Sequence, residues 1–131
     1  EDVASLFSEE ISEVIFSGPF FMEEVVFYHA TSQTVLVADL IQRFPENRVE
    51  GFMGTLMKWD GLVGPNGSTP REWRLSFLFG KDQARKARDI IINDWKPKHL
   101  IIAHGDCVTD GSATTVIDKA LGWLDQFHAM W

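Results

Sequence analysis

The sequence predicts a mixed α/β fold in a single domain spanning residues 1–131. Three observations carry that prediction. Short runs rich in Val, Ile, Phe and Tyr share the chain with segments whose apolar residues recur at helical spacing. Their order (three strands, helix, loop, a further strand, helix, strand, helix) mixes both element types in one layer. Finally, "VVFYH", "VLVAD" and "LIIAH" are apolar at successive positions, whereas a strand with one face in water should alternate. Both faces of the sheet are therefore expected to be covered, one by helices and the other by helices or a second sheet.

The elements follow in order. Residues 13–16, 24–28 and 34–39 read as strands, and the polar link "HATSQ" is short enough to join the second and third as an antiparallel hairpin. After "FPEN", Asn47 is placed to cap an amphipathic helix carrying Val49, Phe52, Met53, Leu56 and Met57 and running to about Trp59. "DGLVGPNGSTPREW" is a loop, with a strand expected over residues 74–79. Asp82 is expected to cap the next helix, with Ala84, Ala87, Ile91 and Trp95 as its stripe and Pro97 as its stop. "HLIIAH" is a strand. "TDGS" caps a last helix with Ile117, Ala120, Leu121, Leu124 and Phe127 on one face.

Composition narrows the function classes. The formal net charge of −7 argues against a phosphate-binding surface, since that needs clustered Lys and Arg. The one basic cluster, residues 81–88, reads as a solvated helix face. No apolar run approaches the ~18 residues of a membrane span, and no signal peptide is recognised. Neither nucleic acid nor membrane is therefore expected as a partner; a single cysteine fits a reducing compartment, and the cytoplasm is the default location.

The candidate chemistry lies at strand ends. "VLVAD" ends at Asp39, "LIIAH" at His104 with Asp106 beyond, and "VVFYH" at His29. An imidazole and a carboxylate converging from separate strands could hold a divalent metal such as zinc. The plainer reading is an Asp that caps a turn and a His hydrogen-bonded for structure. Cys107 could serve as a nucleophile with His104 nearby, but no third orienting residue is visible, and a small residue at a strand end explains it as well. "GLVGPNG" matches neither dinucleotide nor P-loop spacing, and "GDCVTDG" has no nucleophile-elbow spacing.

Taken together, "EEVVFYHATSQTVLVADLIQRF", the "GxxGPNGxTP" loop, "ARDIIINDWKPKHLIIAHGDCV" and "ALGWL" resemble an uncharacterised family within the metallo-β-lactamase fold. The likeness is to the second half of that domain and runs from about Glu13 to Leu124. It implies half of an αββα sandwich: a mixed sheet with about three helices on one face and the inner face turned to a second sheet. It further implies that Asp39 matches the strand-end aspartate that bridges two metal ions and His104 matches a later histidine ligand, with Asp106 placed to orient it. The HxHxDH motif of active members occurs nowhere in the chain, and "SGPFFMEE" lacks the histidine expected before the second strand. Two ligands are too few for a catalytic zinc site, which takes three protein ligands plus water. The resemblance thus implies a half-domain without independent catalysis, pairing its inner face with a second copy or a complementary half-domain. One alternative is a metal-dependent hydrolase of an ester, thioester, lactam or phosphodiester, completed by another chain or an N-terminal half. Another is a small-ligand module whose Trp59-to-Trp73 loop covers a pocket.

Overall fold

The computed structural model describes residues 10–17, 23–45, 51–59, 61–64, 66–70, 74 and 81–125. Its centre is a four-stranded mixed sheet in the order β1 (Ile11–Ser17), β2 (Glu23–His29), β3 (Thr34–Val37), β4 (His99–Ile102). β1 and β2 are antiparallel, β2 and β3 form the expected hairpin, and β3 and β4 run parallel. At the hairpin, Gln33 takes a left-handed conformation (φ 53°), and its carbonyl accepts the backbone N–H groups of Lys98 and His99. The turn that ends β2 thereby also starts β4.

Three α-helices are described: α1 (Gly51–Trp59), α2 (Lys81–Asp89) and α3 (Ala113–Ala120). A π-helical segment (Ile90–Trp95) prolongs α2 and a 3-10 turn (Gly122–Asp125) follows α3. One face of the sheet, with Val14, Phe16, Val26, Tyr28, Val35, Val37, Leu100 and Ile102, buries against the α2 and α3 layer. From that layer come Ala84, Ala87 and Ile91, then Val116, Ile117, Leu121 and Leu124. Trp95 stacks on Tyr28 at 5.1 Å between ring centroids, so the predicted α2 stripe packs as written. Arg88, buried at the back of this layer, donates two bonds to the Asp125 carboxylate (2.8 and 3.1 Å) and one to Asp89 (2.9 Å).

Several expectations are corrected here. Asp82 lies inside the first turn of α2, which starts at Lys81, and bonds Arg85 at 3.1 Å. Lys96, left-handed at φ 48°, ends the helix one residue before Pro97 by donating its N–H to the Ile91 carbonyl. Before α3 the Ser112 side chain makes no cap bond; Ser112 instead donates to Asp110 in an Asx turn. Arg74 is helical, its N–H bonded to the Pro70 carbonyl, and residues 75–79 of the expected strand lie outside the described residues, as do Asn47, Val49 and Phe127.

The largest departure is that only two of the three α-helices build the core. In α1 only Gly54 is buried, while Phe52, Met53 and Trp59 are exposed and none joins the core cluster. Among the described residues the opposite face of the sheet is bare. Its rows follow the register: Ile15 beside Val25, then Phe27 beside Leu36 beside Ile101. Ile15, Phe27, Leu36 and Ile101 are 42, 42, 41 and 46 % exposed. The two-sided apolar strands are therefore real, and among the described residues nothing covers their second face.

The sheet's edges, by contrast, are partly occupied. On β1 the Gln83 side chain of α2 donates to the Ile15 carbonyl and accepts the Ser17 N–H. On β4, Leu100 and Val108 exchange both backbone bonds at 2.8 Å. Both devices consume groups that would otherwise pair with another strand.

Candidate functional site

The parallel register of β3 and β4 sets Val37 beside Ile102. Two residues beyond the end of each strand stand Asp39 and His104, so the topology itself brings the two predicted residues together. Asp39 Oδ1 lies 2.8 Å from His104 Nε2, with both side chains about half exposed. A carboxylate only accepts, so Nε2 is the donating nitrogen.

Neither residue lies within its strand as expected. β3 ends at Val37 because the next three backbone N–H groups are claimed by one side chain. Asp39 and Leu40 donate to Glu24 Oε1 at 2.6 and 2.9 Å, and Ala38 donates to Oε2 at 3.3 Å. Glu24 is only 7 % exposed. Burial pushes its carboxyl above the ordinary 4.5, and the backbone bonds, which favour the ionised form, pull it part of the way back. β4 likewise ends at Ile102, and His104 is fixed by its backbone: its carbonyl accepts the Arg43 N–H at 3.2 Å.

Arg43 holds the loop that follows. Its carbonyl accepts the Asp106 N–H at 2.8 Å, and its guanidinium donates to the Asp106 carbonyl at 3.0 Å. The close approach requires glycine at position 105, where φ is +113° and a Cβ would lie 2.1 Å from the Arg43 carbonyl oxygen. Gly67 plays the same part opposite Gln42, at 2.3 Å. The loop after α1 is thus pinned to residues 42–44 through the Gln42–Ser68 and Phe44–Val63 bridges; Trp73, its expected far end, lies outside the described residues.

The other candidates are placed apart. Asp106 is tied to Arg43 through its backbone, and the carboxylate on the His104 imidazole is that of Asp39. His29 stands at the opposite end of the sheet, paired with Thr34 and bonded through Nδ1 to Ser32 Oγ at 2.7 Å. Cys107 is exposed, its Sγ 3.8 Å from the Ile102 carbonyl.

The donor set does not fit a metal ion on its own. Among the described residues no three His, Cys, Asp or Glu side chains gather closely enough to hold one. Asp39 and His104 also spend a ligand atom each on their mutual bond. What they sit beside is apolar: Ala38 and Ala103, the residues just before them, line a groove of about 320 Å³ on the bare face with Val25, Phe27, Leu36 and Ile101.

Glu24 and Arg43 were not among the residues the sequence singled out. For Glu24 a signal existed, because positions 24, 26 and 28 share the inward face of β2 and a carboxylate rarely occupies such a position without partners. Arg43 carried no comparable signal, since its role depends on Gly105 folding back upon it. No protein-family model, curated protein or solved structure matches this chain.

Proposed function

We propose that this chain is a half-domain of metal-hydrolase type that does not catalyse on its own and works through the partner that closes its bare sheet face. The observation that carries the reading is the conjunction at one sheet end. Two ligand-type side chains meet at 2.8 Å from adjacent strand ends, on the border of an apolar face that no described residue covers. Each of the exposed side chains has on the order of 1 kcal/mol still to gain from full burial.

The proposed partner is a second copy. A two-fold axis along the strands, between β2 and β3, would lay Phe27 and Leu36 of one copy over Leu36 and Phe27 of the other. It would also carry Glu13 of β1 over the β4 edge, which bears His99 and no acid, rather than over another Glu13. Light scattering on purified protein at micromolar concentration tests this. A dimer that becomes a monomer in Leu36→Glu is the expected result, and a wild-type monomer overturns it. Exclusive co-purification with a different chain would assign the face to a complementary half-domain instead.

A second reading has its own support. Because Asp39 and His104 converge while half exposed, further ligands from another chain could complete a metal site of the kind that serves hydrolysis. Elemental analysis of protein purified without chelator or histidine tag decides between the two. About one equivalent of zinc, iron or manganese per chain, lost in both Asp39→Ala and His104→Ala, would favour the completed hydrolase. Absence of metal after added zinc leaves the non-catalytic half-domain.

A further inference from the structure

We propose that Glu24 is the positioning residue of the Asp39–His104 pair: its buried carboxylate gathers the backbone N–H groups of residues 38–40 and so turns Asp39 onto the imidazole. The inference rests on the reading that this pair is the functional end of the half-domain. Three features support it. The bonds run to three consecutive residues, with Asp39 in the middle and the shortest contact, 2.6 Å, to Asp39 itself. Those N–H groups lie where β3 would otherwise continue, so Glu24 supplies the stop that swings the chain out of the ladder. And Glu24 reaches them from β2, a different strand, so the Asp39 backbone is fixed by tertiary structure before any partner arrives.

The cost of this arrangement also speaks for a role beyond packing. An apolar residue on the inward face of β2 would match Val26 and Tyr28, whereas Glu24 carries a carboxyl into that face at 7 % exposure, where a polar group costs stability unless fully partnered. Sites held for geometry at the expense of stability are where such residues collect.

The test reads the pair itself. In the full chain labelled with ¹⁵N, long-range proton–nitrogen spectra at pH 7.5 report the ring nitrogens of each histidine. Glu24→Ala is expected to move the His104 ring signals toward those of Asp39→Asn while leaving His29 and His99 unchanged. Glu24→Gln keeps one oxygen for the Asp39 and Leu40 N–H groups and should stay close to wild type. Val116→Ala, a buried change on α3, lowers stability without touching the pair and should leave His104 where it was. Folded Glu24→Ala protein with wild-type His104 signals overturns the proposal. If that variant does not fold, Glu24→Asp, one methylene too short to span all three N–H groups, must show an intermediate shift, and unchanged signals there overturn it equally. Metal content and oligomeric state of the same wild-type sample judge the broader reading separately, since a metal-free monomer would defeat that reading while leaving the His104 response to decide the role of Glu24.

Discussion

Leu100 and Ile101 are neighbours on one strand, chemically close, and live in different worlds. Leu100 is fully buried beneath the α2 and α3 layer, while Ile101 is 46 % exposed on the far side. Val35 and Leu36 repeat the contrast one strand away. In an ordinary one-sided sheet the outward partner would be polar. Here both are aliphatic, so among the described residues the sheet carries the side chains of a two-sided core and the cover of a one-sided one. The comparison teaches that burial in this chain is decided by what sits opposite: neighbouring aliphatic residues differ only in whether the α2 and α3 layer lies over them.

The largest expected effect breaks that comparison directly. If a second copy covers the face, Phe27→Glu places a carboxylate in the interface twice, once per copy. Association should weaken by on the order of 10³-fold or more, read by sedimentation or light scattering across a dilution series. An unchanged association constant would show that the face is not the contact. Next, Leu100→Ala should cost about 2–5 kcal/mol in denaturant unfolding, the usual range for a buried leucine. Ile101→Ala, measured below the dissociation concentration, should cost less than about 1.5 kcal/mol; equal losses at the two positions would mean the bare face is covered within the chain itself.

Smaller effects sharpen the picture at the sheet end. Gly105→Ala forces a side chain into the Arg43 carbonyl at a left-handed position and should cost about 1–3 kcal/mol. It should also disturb the His104 ring signals, whereas Gly111→Ala, equally left-handed but with open space around it, should leave them unchanged. The smallest effect is a pH dependence. Because burial raises Glu24 above 4.5 in the folded chain, the folded state binds that proton more tightly than the unfolded state does. Its contribution to stability is complete below about 4.5, the unfolded value, and is lost as pH rises through the raised value. Wild type should therefore gain on Glu24→Gln as pH is lowered from neutrality toward 4.5, by thermal melts in matched buffers; a constant gap would show that the carboxyl is not perturbed.

Much of this was legible in the sequence, for identifiable reasons. The hairpin, the α2 stripe and the doubly apolar strands depend on local pattern, and they are present as written. The pairing of Asp39 with His104 was legible only as two strand ends, because their adjacency depends on β3 and β4 being parallel neighbours. What local pattern could not supply were contacts made from a distance. Glu24 shortens β3 from another strand, and Lys96 ends its helix by a left-handed conformation, one residue before the predicted stop at Pro97. The stripe of α1 shows the converse, since Phe52 and Met53 sit at helical spacing without entering the core. Periodicity specifies a helix and leaves open what the helix meets.

The partly occupied sheet edges bear on the geometry of growth. A sheet that offers its edges can add strands indefinitely, and its assemblies lengthen into ribbons. Gln83 takes one carbonyl and one N–H of β1, and Val108 takes both groups of Leu100 on β4, so lateral addition has fewer groups to start from at those positions. Layering remains, and layering is self-limiting here because the second face of each sheet already lies under its own helices. Any assembly built on this surface should stop at two layers, a closed object of fixed size rather than a fibre.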